Sequence, residues 1–208
     1  KYGIYNGTIY NCENEDWKPL DSGFALNLDS RTESDGLAEY AELPRFISEN
    51  FTVSFWVRTT NTADTGSHWW EGKGLIDADS AGPDDDFGIS LLGDRAAFGV
   101  GSESGDTTIK SGSAVNDGQW HHIAAVRNSV TGRMQLYIDS HLEAYTNGPC
   151  GVKDAQTRIL VGSLNNNDGQ YLRGSFDDIR IFARELDSWE IDRLASGGFP
   201  HVSAKKGF

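Results

Sequence analysis

Apolar and polar residues alternate along much of the chain, which is the pattern of β-strands with one buried face. The clearest case is residues 51–58. One face carries Phe51, Val53, Phe55 and Val57, and the other carries Thr52, Ser54, Trp56 and Arg58. Phe24–Leu28 and Met134–Ile138 alternate in the same way. The pattern predicts an all-β fold.

Turn residues separate these segments. Asn116-Asp117-Gly118 precedes Gln119–Arg127, Thr131-Gly132 follows it, and Asp139-Ser140 precedes His141–Tyr145. We therefore predict a three-stranded antiparallel meander over Gln119–Tyr145. Further strands are predicted at Leu37–Leu43, Gly74–Asp79, Phe87–Leu91, Ala96–Val100, Thr107–Lys110, Arg158–Val161 and Gly174–Phe182.

One short helix is predicted near the C-terminus. Asp187 can serve as its N-cap, and Glu190 stands three residues later, where it can bond back as in a capping box. The apolar contacts of this helix would come from Trp189, Ile191 and Leu194, and the pair Gly197-Gly198 would end it.

The composition fits one sandwich domain and excludes two classes of partner. The chain has 208 residues, of which 38% are hydrophobic and 24 are glycine. Its 31 acidic and 18 basic residues give a net charge of −13, which would repel nucleic acid and anionic membrane surfaces. No run of about 18 apolar residues could insert into a membrane. We expect one domain over residues 1–198 and a flexible tail over 199–208.

The two cysteines, Cys12 and Cys150, leave two alternatives open. They form one disulfide, as in many secreted proteins, or they are two unrelated thiols.

Five segments together resemble the laminin-G-like domains of the concanavalin-A-like lectin and glucanase family. They are Gly23–Asp29 (GFALNLD), Phe51–Val57 (FTVSFWV), Asp117–Ala124 (DGQWHHIA), Leu136–Asp139 (LYID) and Gly174–Phe182 (GSFDDIRIF). The resemblance implies a two-sheet antiparallel jelly-roll sandwich with one short C-terminal helix. It also implies a secreted, extracellular or cell-surface module within a larger protein that has other domains.

The resemblance further implies a calcium ion between an early loop and a late strand. The matching positions are Asp29 and Asp177, and Asp35 is a possible further ligand. Period two places Asp177 on the face of Ile179 and Ile181, which is the core face, and a carboxylate there needs a partner. The alternative is that Asp177 caps a turn or pairs with a nearby arginine.

A loop rich in tryptophan and carboxylates is the first candidate ligand site. Tryptophan faces stack on sugar rings and carboxylates accept bonds from sugar hydroxyls, so we predict contacts from Trp69, Trp70, Glu71, Asp77, Asp79 and Asp86. The alternative is that Trp70 packs under its own loop, while Asp77 and Asp86 bond turn amides or hold a second cation. A second candidate is the amide-rich loop containing Asn166 and Tyr171.

These features favour a calcium-stabilised module that binds a glycan or glycoprotein without catalysis. A protein-adhesion or spacer module is the alternative. A glycoside hydrolase is disfavoured because the segment Glu33–Glu39 lacks the carboxylate spacing that would place an acid/base pair on one strand face.

Overall fold

The computed structural model describes residues 7–20, 23–29, 38–82, 84–165 and 170–197, which contain fourteen strands and one α-helix. The strands are β1 (Thr8–Tyr10), β2 (Trp17–Leu20), β3 (Gly23–Leu28), β4 (Tyr40–Pro44), β5 (Phe51–Arg58), β6 (Lys73–Asp77), β7 (Phe87–Leu92), β8 (Arg95–Val100), β9 (Thr107–Ala114), β10 (Trp120–Arg127), β11 (Arg133–Ile138), β12 (His141–Asn147), β13 (Arg158–Val161) and β14 (Gly174–Phe182). The helix is α1 (Ser188–Ala195).

The described strands form two seven-stranded antiparallel sheets. The first sheet has the order β1-β4-β13-β6-β7-β8-β9, and the second has the order β12-β11-β10-β5-β14-β3-β2. The predicted all-β, two-sheet antiparallel jelly-roll sandwich with one short C-terminal helix is confirmed. The meander over β10, β11 and β12 is also confirmed. The short strands β1 and β2 were not predicted.

The core lies between the two sheets and is built from the alternating faces of the central strands. On β5, the side chains of Phe51, Val53, Phe55 and Val57 are all fully buried. The ring of Phe51 lies 4.6 Å from that of Phe87 on β7, which places an aromatic contact across the sandwich. Burial of this apolar surface is the main stabilisation that such a fold obtains.

Helix α1 packs on the outer face of the second sheet. Ile191 and Leu194 are buried there against Ala124, Val126 and Tyr137. The predicted capping box is present, since the Asp187 carboxylate accepts from the Glu190 amide at 2.8 Å. The prediction for Trp189 was wrong. Its side chain is 61% exposed and lies under the Arg193 guanidinium instead of in the core.

A β-bulge in β14 overturns the predicted orientation of Asp177. Asp178 adopts a left-handed conformation with φ +48°, and the pairing register with β5 shifts between Asp177 and Arg180. Because one extra residue enters the strand, Phe176 and Ile179 both contact the core, whereas Asp177 pairs with Trp56 on the outer face. Asp177 therefore does not share the core face of Ile179 and Ile181.

The two cysteines are free thiols, with Cys12 half-buried and Cys150 exposed. The disulfide alternative does not hold in this structure. In the described part of the chain, no helix combines the length and the apolar composition that crossing a membrane requires.

Candidate functional site

Trp69 is part of the interior and is not an exposed sugar platform. It lies in a 3₁₀ turn, Trp69–Glu71, and its side chain is 1% exposed. The indole rests on the outer face of the first sheet, where Gly88 on β7 and Gly99 on β8 have no side chains to exclude it. A β-carbon at Gly99 would overlap the indole ring. The glycines therefore form a trough that holds this tryptophan.

Trp70 is partly exposed to solvent and Glu71 is exposed. The ring of Trp70 stacks on His68 at 4.2 Å and meets Trp69 edge-on at 4.5 Å. The Glu71 carboxylate accepts from the amides of His68 at 2.7 Å and Ser67 at 2.6 Å, and these bonds lower the pKa of Glu71. The Glu71 carboxylate thus stabilises its own turn. Trp70 and His68 are the main side chains of this loop that a ligand could contact.

Asp77 lies beneath the same loop and is fully buried. Its Oδ2 atom accepts from the amides of Asp79 at 3.1 Å and Asn165 at 2.9 Å. Its Oδ1 atom has no hydrogen-bond partner, and neither has the indole nitrogen of Trp69. Both atoms lie within 2.6 Å of the point where Gly88 would carry a β-carbon, so a buried acceptor and a buried donor are neighbours. Burial raises the pKa of Asp77 to about 7.

Asp79 and Asp86 are buried at the adjoining end of the first sheet. Burial, together with the charge of neighbouring aspartates, raises the pKa of Asp79 to about 7 and that of Asp86 to about 8. The Oδ2 atom of Asp86 accepts from the Ser80 amide at 3.0 Å, but its buried Oδ1 has no hydrogen-bond partner. That Oδ1 atom, the Asp106 Oδ1 atom and the Asp84 carbonyl lie within 3.0 Å of one point beside Gly101. We call Asp79, Asp84, Asp86 and Asp106 the rim carboxylate group.

One nearby cation is already engaged. The buried ammonium of Lys153 contacts the Asp85 carboxylate at 2.6 Å, and the Asp85 carbonyl accepts from the Ala155 amide. These contacts link residues 153–155 to the loop that contains Asp85, but Lys153 makes no hydrogen bond to the orphaned Oδ1 atom of Asp86.

Asp29 and Asp177, the two predicted calcium residues that the structure describes, are not brought together. Asp29 lies in a group with Asp16 and Glu39, in which one carboxylate oxygen of each residue lies within 4.8 Å of those of the other two. Burial, reinforced by these neighbouring charges, raises the pKa of the nearby Cys12 thiol to about 12. Asp177 lies away from this group. Gly174 at the start of β14 pairs with Leu28, next to Asp29, and Asp177 follows three residues farther along β14, in the direction away from Asp29.

Two predicted residues, Asp35 and Asn166, lie outside the described residues. Tyr171 is half-buried, and its carbonyl accepts from the Lys73 ammonium at 3.4 Å.

An open groove on the outer face of the second sheet was not predicted. Its volume is about 340 Å³, and it is lined by Leu20, Trp56, Trp120, Asp177 and the C-terminal end of α1. Trp56 lies between Asp177 on β14 and His122 on β10, and Trp120 is paired with Arg58. We call this the tryptophan groove. The alternation of residues 51–58 already placed Trp56 among polar neighbours on the outer face, which was the available signal.

The aromatic side chains of the groove are held by neighbours. Trp56 meets His122 edge-on with ring centroids 5.4 Å apart, and the Arg58 guanidinium lies 5.1 Å from the centre of the Trp120 ring. The imidazole Nε2 of His122 is 2.8 Å from the Ser54 hydroxyl, which fixes its ring. Both indoles are therefore positioned before any ligand arrives.

The fold and the groove define an all-β jelly-roll binding domain. A laminin G family model, described as the Concanavalin A-like lectin/glucanases superfamily, matches residues 33–192. The chain belongs to this family. It is also 27% identical over 172 residues to the basement membrane-specific heparan sulfate proteoglycan core protein of Mus musculus, covering 75% of this chain but 4% of that protein.

Solved structures with the same fold include two toxin binding domains. The binding domain of botulinum neurotoxin DC, in complex with SialylT, has a TM-score of 0.67 and 17% identity, and the similarity covers 93% of this chain and 46% of that one. The binding domain of Paraclostridial Mosquitocidal Protein 1 has a TM-score of 0.68 and 16% identity, over 94% of this chain and 48% of that one. This chain thus spans about half of those binding domains, and at such identities the likeness shows the fold alone.

The glycine trough yields a first prediction. Gly99→Ala should destabilise the protein by about 3 kcal/mol, because the added methyl group forces the Trp69 indole out of its seat. Gly112→Ala is the matched control, since Gly112 also lies in a strand and a β-carbon there would be 3.6 Å from the Glu143 carboxylate. Urea unfolding gives the free energy of unfolding of each variant. Equal values for the two variants would show that the indole does not occupy the space beside Gly99.

His122 yields a second prediction. Burial lowers the pKa of His122 to about 4, whereas an unfolded histidine titrates near about 6.5. The stability gained by keeping this imidazole neutral is complete above pH 6.5 and is lost as the pH falls towards 4, by on the order of 3 kcal/mol. His122→Asn should flatten this part of the stability-against-pH curve. The exposed His141→Asn should not, and identical curves for both variants would refute the assignment.

Proposed function

We propose that this protein is a non-catalytic carbohydrate-binding module of a larger extracellular protein. The observation that carries the proposal is the tryptophan groove, in which two fixed indoles and one carboxylate line an open space of about 340 Å³. Aromatic faces stack on the apolar side of a pyranose, while a carboxylate accepts bonds from its hydroxyls. The groove lies within the size range of ligand pockets, which begins at about 300 Å³.

The absence of catalysis is part of the proposal. Glycoside hydrolases need two carboxyl groups that flank the scissile bond. Among the described residues that line the groove, Asp177 is the single carboxylate. Its neighbour Asp178 is paired with Arg180 at 2.6 Å.

The relatives support an extracellular binding role without naming the ligand. The mouse relative is a proteoglycan core protein of basement membranes, and one toxin binding domain was solved in complex with SialylT. Another botulinum neurotoxin DC structure contains rat synaptotagmin II, so protein adhesion is the second candidate function for this chain.

We also propose that calcium stabilises the module, at either of two groups of oxygen ligands. Calcium takes six to eight oxygen ligands from carboxylates, carbonyls and water. In the rim carboxylate group, the Oδ1 atoms of Asp86 and Asp106 and the Asp84 carbonyl surround one point, and the orphaned Oδ1 atom of Asp86 is an oxygen that a cation would satisfy. The group of Asp16, Asp29 and Glu39 is a second position and retains the predicted Asp29.

The glycan proposal is tested with groove variants. Trp56→Ala and Trp120→Ala should each weaken binding of any glycan identified on an array by tenfold or more, as measured by calorimetry, because each removes a stacking face. Trp189→Ala is the matched control, since Trp189 is exposed on α1 outside the groove lining. Retained binding in both groove variants and loss in Trp70→Ala would place the site at the loop instead. Absence of binding to every glycan on the array would favour protein adhesion as the function.

The calcium proposal is tested by thermal unfolding with calcium and with chelator. A ligand present at about 100 times its dissociation constant stabilises the native state by about 2.7 kcal/mol, so calcium should raise the melting temperature by several degrees. Asp86→Asn and Glu39→Gln separate the two positions, because each removes the calcium response of its own group. Asp94→Asn, at an exposed position, is the control. A melting temperature that does not change when chelator is added would contradict the calcium proposal.

A further inference from the structure

Arg58 stands at the junction of two grooves on the outer face of the second sheet. It pairs across the sheet with Trp120, which lines the tryptophan groove, and with Ser175. It also lines a second groove of about 350 Å³, together with Ser175, Asn27, Asp29 and Arg173. A ligand bound over Trp56 and Trp120 would therefore extend towards the Arg58 guanidinium.

Arg58 is unusual among the cations of this acidic chain. Most described arginines and lysines are held by carboxylates or carbonyls; the pairs are Arg95–Asp94, Arg133–Glu185, Lys153–Asp85, Arg158–Glu42, Arg180–Asp178 and Arg184–Glu190, and Arg127 bonds three carbonyls. Within the described residues, the Arg58 guanidinium contacts the Trp120 ring but pairs with no carboxylate, although the chain has 31 acidic and 18 basic residues.

This arrangement leaves Arg58 ready for an anion. A guanidinium that lies over an aromatic ring keeps the N–H groups along its edge, and these match the two oxygens of a carboxylate. The position is exposed, but the ring contact limits the freedom of the side chain. The second groove is lined by two guanidinium groups, those of Arg58 and Arg173, and by the Asp29 carboxylate.

We infer that the site binds a carboxylated saccharide, with Arg58 recognising the carboxylate while Trp56 and Trp120 stack on the sugar ring. The inference rests on the proposed glycan-binding function and names the ligand class. Asp177 then accepts hydroxyl groups of the same or the next sugar. A densely sulfated chain is disfavoured, because one unpaired arginine cannot offset the repulsion from a protein of net charge −13.

The test compares each acidic probe with its neutral counterpart by calorimetry. The probes are 3′-sialyllactose against lactose, and trigalacturonic acid against its methyl ester, so the two sources of carboxylated sugar are examined separately. At least one acidic probe should bind tenfold or more tightly than its neutral counterpart. Arg58→Gln should remove that difference, and Arg58→Lys should keep part of it because the charge remains. The preference should also weaken with added salt.

Arg193→Gln is the matched control, because Arg193 lies over a tryptophan, Trp189, at 5.0 Å and lies outside the groove lining. It should leave the acidic preference unchanged, and circular dichroism checks that every variant is folded. Neutral glycans that bind as tightly as acidic ones, or a preference that survives Arg58→Gln, would overturn the inference but leave glycan binding intact. A stronger response to sulfated glycans would also overturn it. If no glycan binds, both the inference and the proposed function are overturned.

Discussion

The two faces of β5 must satisfy opposite demands, and the rest of the structure is arranged around that constraint. Every second side chain is directed into the sandwich, where Phe51, Val53, Phe55 and Val57 are fully buried. The intervening side chains are necessarily directed outwards, because successive residues of a strand alternate between its faces. One end of the outward face is covered by α1, and at the other end Trp56 and Arg58 remain accessible for binding. The strand that organises the core therefore also organises the candidate site.

Local patterns in the sequence predicted most of the strands and the single helix. The alternation in β5 and the capping box of Asp187 and Glu190 depend on neighbouring residues, so both can be recognised without knowledge of the fold. The orientation of Asp177 could not be, because the bulge at Asp178 shifts the register between two strands that are far apart in the chain. A strict period of two places every residue after such a bulge on the wrong face.

The candidate site was harder to predict because it depends on which strands become neighbours. Trp69 and Trp70 look alike in the sequence, yet Trp69 is buried, since Gly88 and Gly99 lie side by side only after β7 and β8 pair. Asp29 was predicted to meet Asp177 but lies with Asp16 and Glu39, which come from either side of it along the chain. Charged groups separated by many residues meet only through the sheet topology, and composition alone does not reveal that.

The glycine trough beneath Trp69 also has an evolutionary consequence. Residues 69, 88 and 99 are distant in sequence but share one volume, so a change at any of them alters what the others can be. A lineage that replaced the indole with a small side chain would release both glycines from selection, whereas a lineage that keeps the indole must keep them. The three positions should therefore vary as a unit among relatives, and their joint identity would tell a variant that retains this loop from one that has rebuilt it.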